Sequence, residues 1–542
     1  MVHKPGPALE RLDAFAEHFL GTTGAPGVSI AVTDRQRTVH LCARGFAEIT
    51  AKIPVEHETL FQIGSISKSF ASICVMQLVE EGKVDLDEPV KEYVPWLAVR
   101  SKHAPFTLHN LMTHTAGIVL GSESTFSGPP GVLALRETET GAPPGEFFHY
   151  SNVGYKIVGL VLEQVLRKPI GAILRERLLD RLGMDSTEAT ITNEIRDRLA
   201  VGYVPYFDDR PSPLAGPLSQ ATWLESDTAD GSISTTAGDM AKYVRMLLNK
   251  GKCPDGRVIS EESFSMMTKK HVPQGDDYPG VFYGYGLGVE NLDGHVRIGH
   301  TGGMVGFVSS MRMDMDDGIG LIVMLNSLHD ADVVAKFGIG VLSAAVRGNE
   351  IPTVPSKDKH LEIENASDYV GKYAHGVRGF NILADGRKLI MQCEGRSIAL
   401  EPRDKGMFCV DHPDFRLFLL GFEKRNGSVV AAFHGSDVFV KTGTPKPKAF
   451  KYSREWESFT GHFRSYNPWL SNFRVVLRSG SLLFIVAQSG AEEPMRHLAI
   501  GKFRIGKDDR SPETIEFDQI VDGKAQRAIL SCGDCYYRVP TP

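Results

Sequence analysis

A basic excess, paired cysteines and long apolar runs are all missing from this 542-residue sequence, and each absence removes a class of function. Lys and Arg number 60 against 66 Asp and Glu, a formal charge of -6 at pH 7, which leaves no surplus for a phosphate backbone or an anionic lipid surface. Nucleic acid and membrane are therefore set aside as partners, and a small-molecule or short-peptide substrate, neutral or cationic, fits better. The apolar runs at residues 73–79 and 319–325 are core-sized, well short of the roughly 20 residues that span a bilayer. The opening Met1-Val-His-Lys-Pro-Gly-Pro leads into an amphipathic stretch and lacks the charged, apolar, small-residue order of a secretory signal, so a cytoplasmic location is expected. Seven scattered cysteines, an odd number, offer no disulfide framework. Cys532-Gly-Asp-Cys535 has C-x-x-C spacing, but no second pair or histidine partner accompanies it, so two ordinary thiols are expected and no metal. Two common hydrolase designs are absent as well: there is no G-x-S-x-G elbow and no H-E-x-x-H helix.

What is present divides the chain. Two β-rich runs within residues 28–49 flank Asp34-Arg-Gln-Arg37 and read as an antiparallel hairpin. A helix is expected after Ser65, with apolar residues on more than one face and a stop at Gly82; others are expected over 153–166 and over 237–249, the latter opening at Thr236. Between residues 306 and 325 the pattern returns to two strands. Hairpin, helices, then strands predict an α+β domain: an antiparallel sheet flanked by helices and built from both ends of the domain.

Polar, proline-bearing segments at 348–360 and 443–448 mark boundaries, dividing the chain into 1–350, 360–445 and 450–542. The last two parts resemble one another: Tyr369-Val-Gly-Lys-Tyr373 corresponds to Phe459-Thr-Gly-His-Phe463, and short strands with turn residues follow both. Two small, related antiparallel β-barrels are expected. Trp456 and Trp469 read as barrel core and turn.

Hydrolysis by a hydroxyl needs a serine beside a base, a proton donor for the leaving group and N–H groups facing the oxyanion. Ser65-Ile-Ser-Lys68 opens a helix, and three-residue spacing puts both side chains on one face. Alone this is weak, because Ser356-Lys-Asp-Lys359 in a linker matches too. Its company strengthens it: Tyr150-Ser-Asn152 lies on a turn before a helix, and His300-Thr-Gly-Gly303 comes directly after a strand-like stretch, at the edge of the sheet.

In this order the three motifs resemble those of the serine β-lactamase and penicillin-binding-protein superfamily, in the branch of class C β-lactamases, D-aminopeptidases and related esterases. Leu111-Met-Thr-His-Thr-Ala-Gly117 and Gly231-Ser-Ile-Ser-Thr-Thr236 are similar to that branch too, and two trailing barrels resemble the D-aminopeptidase type. The resemblance covers about residues 10 to 345 and implies a β-lactamase/DD-peptidase-like fold. It implies Ser65 as nucleophile, Lys68 and Tyr150 sharing the base work, and the Ser65 and Gly303 N–H groups as oxyanion hole. Asn152 would bind Lys68 and the substrate amide. His300 stands where the penicillin-hydrolysing members carry lysine, so a mostly neutral imidazole replaces a fixed cation and recognition of a free carboxylate is in doubt. His114 is expected to be a structural turn residue.

The function this implies is a serine hydrolase of small amides or peptides, an aminopeptidase or amidase for an N-terminal D-residue, with no cofactor. A carboxylesterase or acyltransferase using the same residues, and a non-catalytic ligand-binding protein, stay open, as does a homo-oligomeric state.

Overall fold

In the computed structural model, which describes residues 6–121, 128–445 and 450–540, helix α1 (Gly6–Thr23) leads into the expected hairpin. Strands β1 (Gly27–Asp34) and β2 (Thr38–Glu48) pair across a turn in which the Asp34 carboxylate accepts from the Gln36 and Arg37 backbone N–H groups at 2.7 and 2.8 Å. The start of the N-terminal reading, residues 1–5, and residues 446–448 of the second linker lie outside the described residues.

Among the described residues the main sheet continues with β3 (Ile53–Pro54), β4 (Val272–Pro273), β5 (Val281–Tyr283), β6 (Gly288–Leu292), β7 (His295–Met304), β8 (Phe307–Asp314) and β9 (Ile319–Leu325). Its order is β4-β5-β6-β7-β8-β9-β1-β2-β3, with Val28 opposite Leu325 and Asp34 opposite Ile319, so the last strand lies beside the first. Side chains alternate across β1 and β9 and feed two cores. Val28, Ile30, Val32, Leu321, Val323 and Leu325 pack in one cluster with α1 and a helix over Ala331–Arg347. Ala31, Ile322 and Met324 join the larger cluster with α2 (Ser67–Glu80), α3 (Asn152–Leu166) and α4 (Ala237–Leu248). Every residue of α2 from Ser67 to Leu78 is buried, which explains its apolar residues on more than one face.

The C-terminal half forms two further β structures. Among the described residues, nine strands form a sheet in which Gly371–His375, the first, pairs with Asp437–Lys441, the last; the ring stays open only between Arg396–Ala399 and Glu401–Pro402. The final eight strands form a closed barrel, Gly461–Arg464 pairing with Cys535–Val539. The resemblance read from sequence has a structural counterpart. Gly371 and Gly461 open their first strands with φ of +155° and +156°, a conformation side chains rarely adopt. Tyr373 lies opposite Lys441 as Phe463 lies opposite Arg538, each cation sitting over its ring, at 6.0 and 4.9 Å.

The segment at residues 206–214 binds both structures. Asp208 accepts from Arg464, and from Ser471 at 2.9 Å, while the Leu214 N–H donates to Glu401 at 2.9 Å and Arg403 donates to the Ser212 carbonyl at 2.8 Å. Trp456 packs on the barrel core, while Trp469, read together with it as barrel core and turn, packs across onto the first core. Cys532 and Cys535 are free thiols, and burial pushes the Cys532 pKa up. Among the described residues no helix is long and apolar enough to cross a membrane.

Candidate active site

Ser65 sits on a single 3-10 turn, Gly64–Ile66, that feeds into α2 at Ser67, where the sequence suggested helix from the start. The turn keeps the S-x-x-K relation, and Lys68 Nζ lies 2.9 Å from Ser65 Oγ. Gly64 has φ +51°, and a Cβ there would lie 2.5 Å from the Gly303 carbonyl; a Cβ on Gly302 would lie 1.8 Å from the Ile63 carbonyl. Strand β7 therefore crosses the Ser65 turn backbone to backbone. At Gly303 a Cβ would meet nothing within 4 Å, so that position faces open space.

The Lys68 side chain is fully buried and donates to three oxygens: Ser65 Oγ at 2.9 Å, Asn152 Oδ1 at 2.8 Å and the Asp230 carbonyl at 2.8 Å. Among the described residues no carboxylate forms an ion pair with it. The Ser65 contact serves in either direction: an ammonium donates to Oγ, and a free amine accepts the Oγ proton. Tyr150 approaches through its ring, 5.0 Å from Nζ, and among the described residues its hydroxyl bonds neither Ser65 nor Lys68.

The Tyr150 turn rests on His114, which adopts φ +57° in the turn read from its sequence. His114 Nδ1 accepts the Ser151 N–H at 3.0 Å, its carbonyl accepts the His149 N–H at 2.8 Å, and its ring lies 4.2 Å from that of Tyr150. Ser151 then caps α3 by accepting from the Gly154 N–H at 3.0 Å.

His300 departs from its expected place. Strand β7 does not stop before it but runs on to Met304, with His300 opposite Met311 of β8. The partner β6 ends opposite Gly299, so beyond that point one side of β7 is free to approach the Ser65 turn. His300 Nδ1 lies 2.5 Å from the Thr301 carbonyl, which can only accept, so Nδ1 carries the proton and Nε2 accepts from the Tyr283 hydroxyl at 2.8 Å. Burial, then the charge of Lys68, lowers the His300 pKa to about 4. The ring is neutral near pH 7 and both its nitrogens are occupied. Tyr283 and the Asp230 carbonyl had no sequence signal: neither lies in a motif, and both arrive by tertiary contact.

A pH dependence follows. Between the ordinary value of 6.5 and about 4, an unfolded chain binds a proton at His300 that the folded chain does not. His300 thus contributes stability above pH 6.5 that is lost as pH falls toward 4. Denaturant unfolding at pH 7 and pH 5 is expected to show a smaller loss in His300→Asn than in the wild type; equal losses would contradict this.

Two groups of metal-capable side chains occur among the described residues, Asp13 with His40 and Cys42, and His295 with Asp314 and Asp317. In the second, Arg297 and Arg347 hold Asp314 at 3.4 and 3.1 Å; in the first, His40 and Arg44 hold Asp13 at 2.8 and 3.4 Å. Arginines already pair with Asp13 and Asp314, and neither group includes a residue of the Ser65 cluster.

Residues 12–343 match the β-lactamase family model. Penicillin-binding protein 4 of Amycolatopsis lactamdurans is 28% identical over 332 residues, covering 58% of this chain and 84% of that protein. Among solved structures, the octameric penicillin-binding protein homologue from Pyrococcus abyssi shares the fold with TM-score 0.61 and 24% identity, over 80% of this chain and 98% of that one. D-amino acid amidase from Ochrobactrum anthropi SV3 shares it with TM-score 0.52 and 23% identity, over 63% of this chain and 100% of that one. With the family match spanning more than half its length and the S-x-x-K, Y-x-N and H-x-G residues gathered around one buried lysine, the chain belongs to the β-lactamase family, among the serine hydrolases related to penicillin-binding proteins.

Proposed function

We propose that the protein hydrolyses small amides or short peptides through an acyl-enzyme on Ser65, with an N-terminal D-residue as the preferred acyl donor. The observation that carries this reading is the Lys68 amine 2.9 Å from Ser65 Oγ, held there by Asn152 and the Asp230 carbonyl. Ser65 Oγ attacks the substrate carbonyl and its proton passes to Lys68, with Tyr150 adjoining. The oxyanion is held by the Ser65 and Gly303 N–H groups. Collapse expels the amine, which takes up the proton, and water then hydrolyses the ester to regenerate Ser65. No cofactor enters these steps.

His300 narrows the substrate. A neutral imidazole with both nitrogens engaged supplies no fixed cation for a C-terminal carboxylate, which favours aminopeptidase or amidase work over carboxypeptidase work. The amidase that shares the fold acts, by its name, on a D-amino acid amide. The domain division at 1–350, 360–445 and 450–542 belongs to the same reading, supported by separate hydrophobic clusters in the second and third parts. So do a cytoplasmic location and homo-oligomerisation, the latter because the Pyrococcus abyssi homologue is octameric; light scattering on the purified protein decides it.

A second reading, carboxylesterase or acyltransferase, draws on Tyr150, whose hydroxyl is not placed against Ser65 or Lys68 to protonate an amine. Ester leaving groups need less such help. Matched p-nitroanilides and p-nitrophenyl esters of D- and L-alanine, beside Ser65→Ala, separate the two. Anilide turnover favouring D-alanine and lost in Ser65→Ala supports the amidase. Ester turnover alone selects the esterase. No turnover and no fluorophosphonate labelling of Ser65 leaves a ligand-binding protein.

A further inference from the structure

The segment at residues 506–513 joins strands Lys502–Ile505 and Thr514–Val521 of the C-terminal barrel and ends at Glu513. It lies against the loop that carries Tyr150. A Cβ on Gly141 would be 2.1 Å from the Arg510 carbonyl and 2.8 Å from the Pro512 nitrogen, and the Arg510 guanidinium sits 4.5 Å over the Phe147 ring. The segment is braced from within, because Asp508 accepts from the Arg510 side chain at 2.9 and 2.7 Å.

Glu513 extends from this segment into the first domain. One oxygen accepts from the Leu120 N–H at 2.6 Å and lies 3.0 Å from His149 Nε2; the other accepts from its own barrel, Ser531 Oγ, at 2.7 Å. Both first-domain partners lead directly to the motif. His149 precedes Tyr150. The Leu120 carbonyl accepts the Asn152 and Val153 N–H groups at 2.8 and 3.1 Å, and Gly121 leaves no room for a side chain, since its Cβ would lie 2.8 Å from that of Val153. A single carboxylate thus bonds the side chain before Tyr150 directly and, through Leu120, reaches the backbone that follows it at Asn152 and Val153. Burial alone would raise the Glu513 pKa, yet the bonds from His149, Leu120 and Ser531 outweigh it and the group is held as carboxylate.

We propose that Glu513 is a positioning residue for the active site, a strut through which the C-terminal barrel sets the placement of Tyr150 and Asn152. A simple docking contact would need only the apolar and backbone packing at Gly141 and Phe147. Glu513 goes further, holding the residue whose carbonyl receives the start of α3 and the side chain next to the proposed catalytic tyrosine. The inference rests on the serine-hydrolase reading for its kinetic consequence and on geometry alone for its structural one.

The experiment uses full-length Glu513→Ala, Glu513→Asp and Glu513→Gln. Alanine removes all three contacts, aspartate is too short to span Leu120, His149 and Ser531 together, and glutamine keeps an acceptor for the Leu120 N–H. Alanine and aspartate are expected to lower kcat and the rate of fluorophosphonate labelling of Ser65 by about 10- to 100-fold, with KM changed less than about threefold and partial recovery in glutamine. Hydrogen exchange of the amides at 149–153 is expected to quicken in the same order. If alanine does not fold, aspartate carries the comparison. Unchanged kcat and exchange in folded variants would overturn the proposal, as would a change confined to KM, which would mark a substrate contact. Absence of labelling in the wild type would instead defeat the hydrolase reading, and amide exchange would still decide the strut.

Discussion

Lys68→Met is expected to slow acylation of Ser65 by about 10² to 10⁴-fold, the range associated with losing a positioned general base. Methionine approximates the length and volume of the lysine stem, so the fully buried position stays filled and the variant folds. What disappears is the only nitrogen within hydrogen-bond reach of Ser65 Oγ among the described residues, together with the donor shared by Asn152 Oδ1 and the Asp230 carbonyl. Leaving a buried acceptor without its donor costs about 1–3 kcal/mol. Removing a buried amine that has no carboxylate partner among the described residues offsets part of that. A modest fall in Tm with a large fall in kcat is therefore expected, checked by pre-steady-state release of p-nitrophenol and thermal unfolding. A rate within tenfold of the wild type would assign the proton to Tyr150, the motif tyrosine whose ring lies 5.0 Å from Lys68 Nζ.

Gly302→Ala is expected to be nearly as damaging for a different reason. Its Cβ would sit 1.8 Å from the Ile63 carbonyl and 2.7 Å from Ser309 Oγ, and the first of these is backbone, so no rotamer relieves the clash. Strand β7 must move away from the Ser65 turn, carrying the Gly303 N–H with it. On the proposed mechanism that N–H is an oxyanion donor, and misplacing one costs about 10²–10³ in kcat; overpacking adds a stability loss of about 1–3 kcal/mol. Gly303→Ala is the control for stability, because its Cβ would meet nothing within 4 Å. Chemical denaturation should therefore separate neighbouring glycines, with Gly302→Ala destabilised and Gly303→Ala close to wild type. Equal stabilities would mean that the close approach of β7 to Ile63 is not required.

The sequence by itself determined what short-range physics controls. Asp34 makes its turn because its carboxylate reaches the N–H groups two and three residues on. Lys68 reaches Ser65 because one turn of a 3-10 or α-helix brings both to one face. Gly371 and Gly461 betray the repeat because few other residues hold their backbone angles. Tertiary structure decided the rest: that β7 runs through His300 instead of ending before it, that Tyr283 caps the His300 ring, that the first C-terminal sheet stays open between two strands, and that Glu513 reaches His149 from 364 residues away. No periodicity or turn signal connects such partners. They meet only once the sheet, α2 and the last barrel have packed, because a hydrogen bond between distant residues leaves its mark in space and none in spacing.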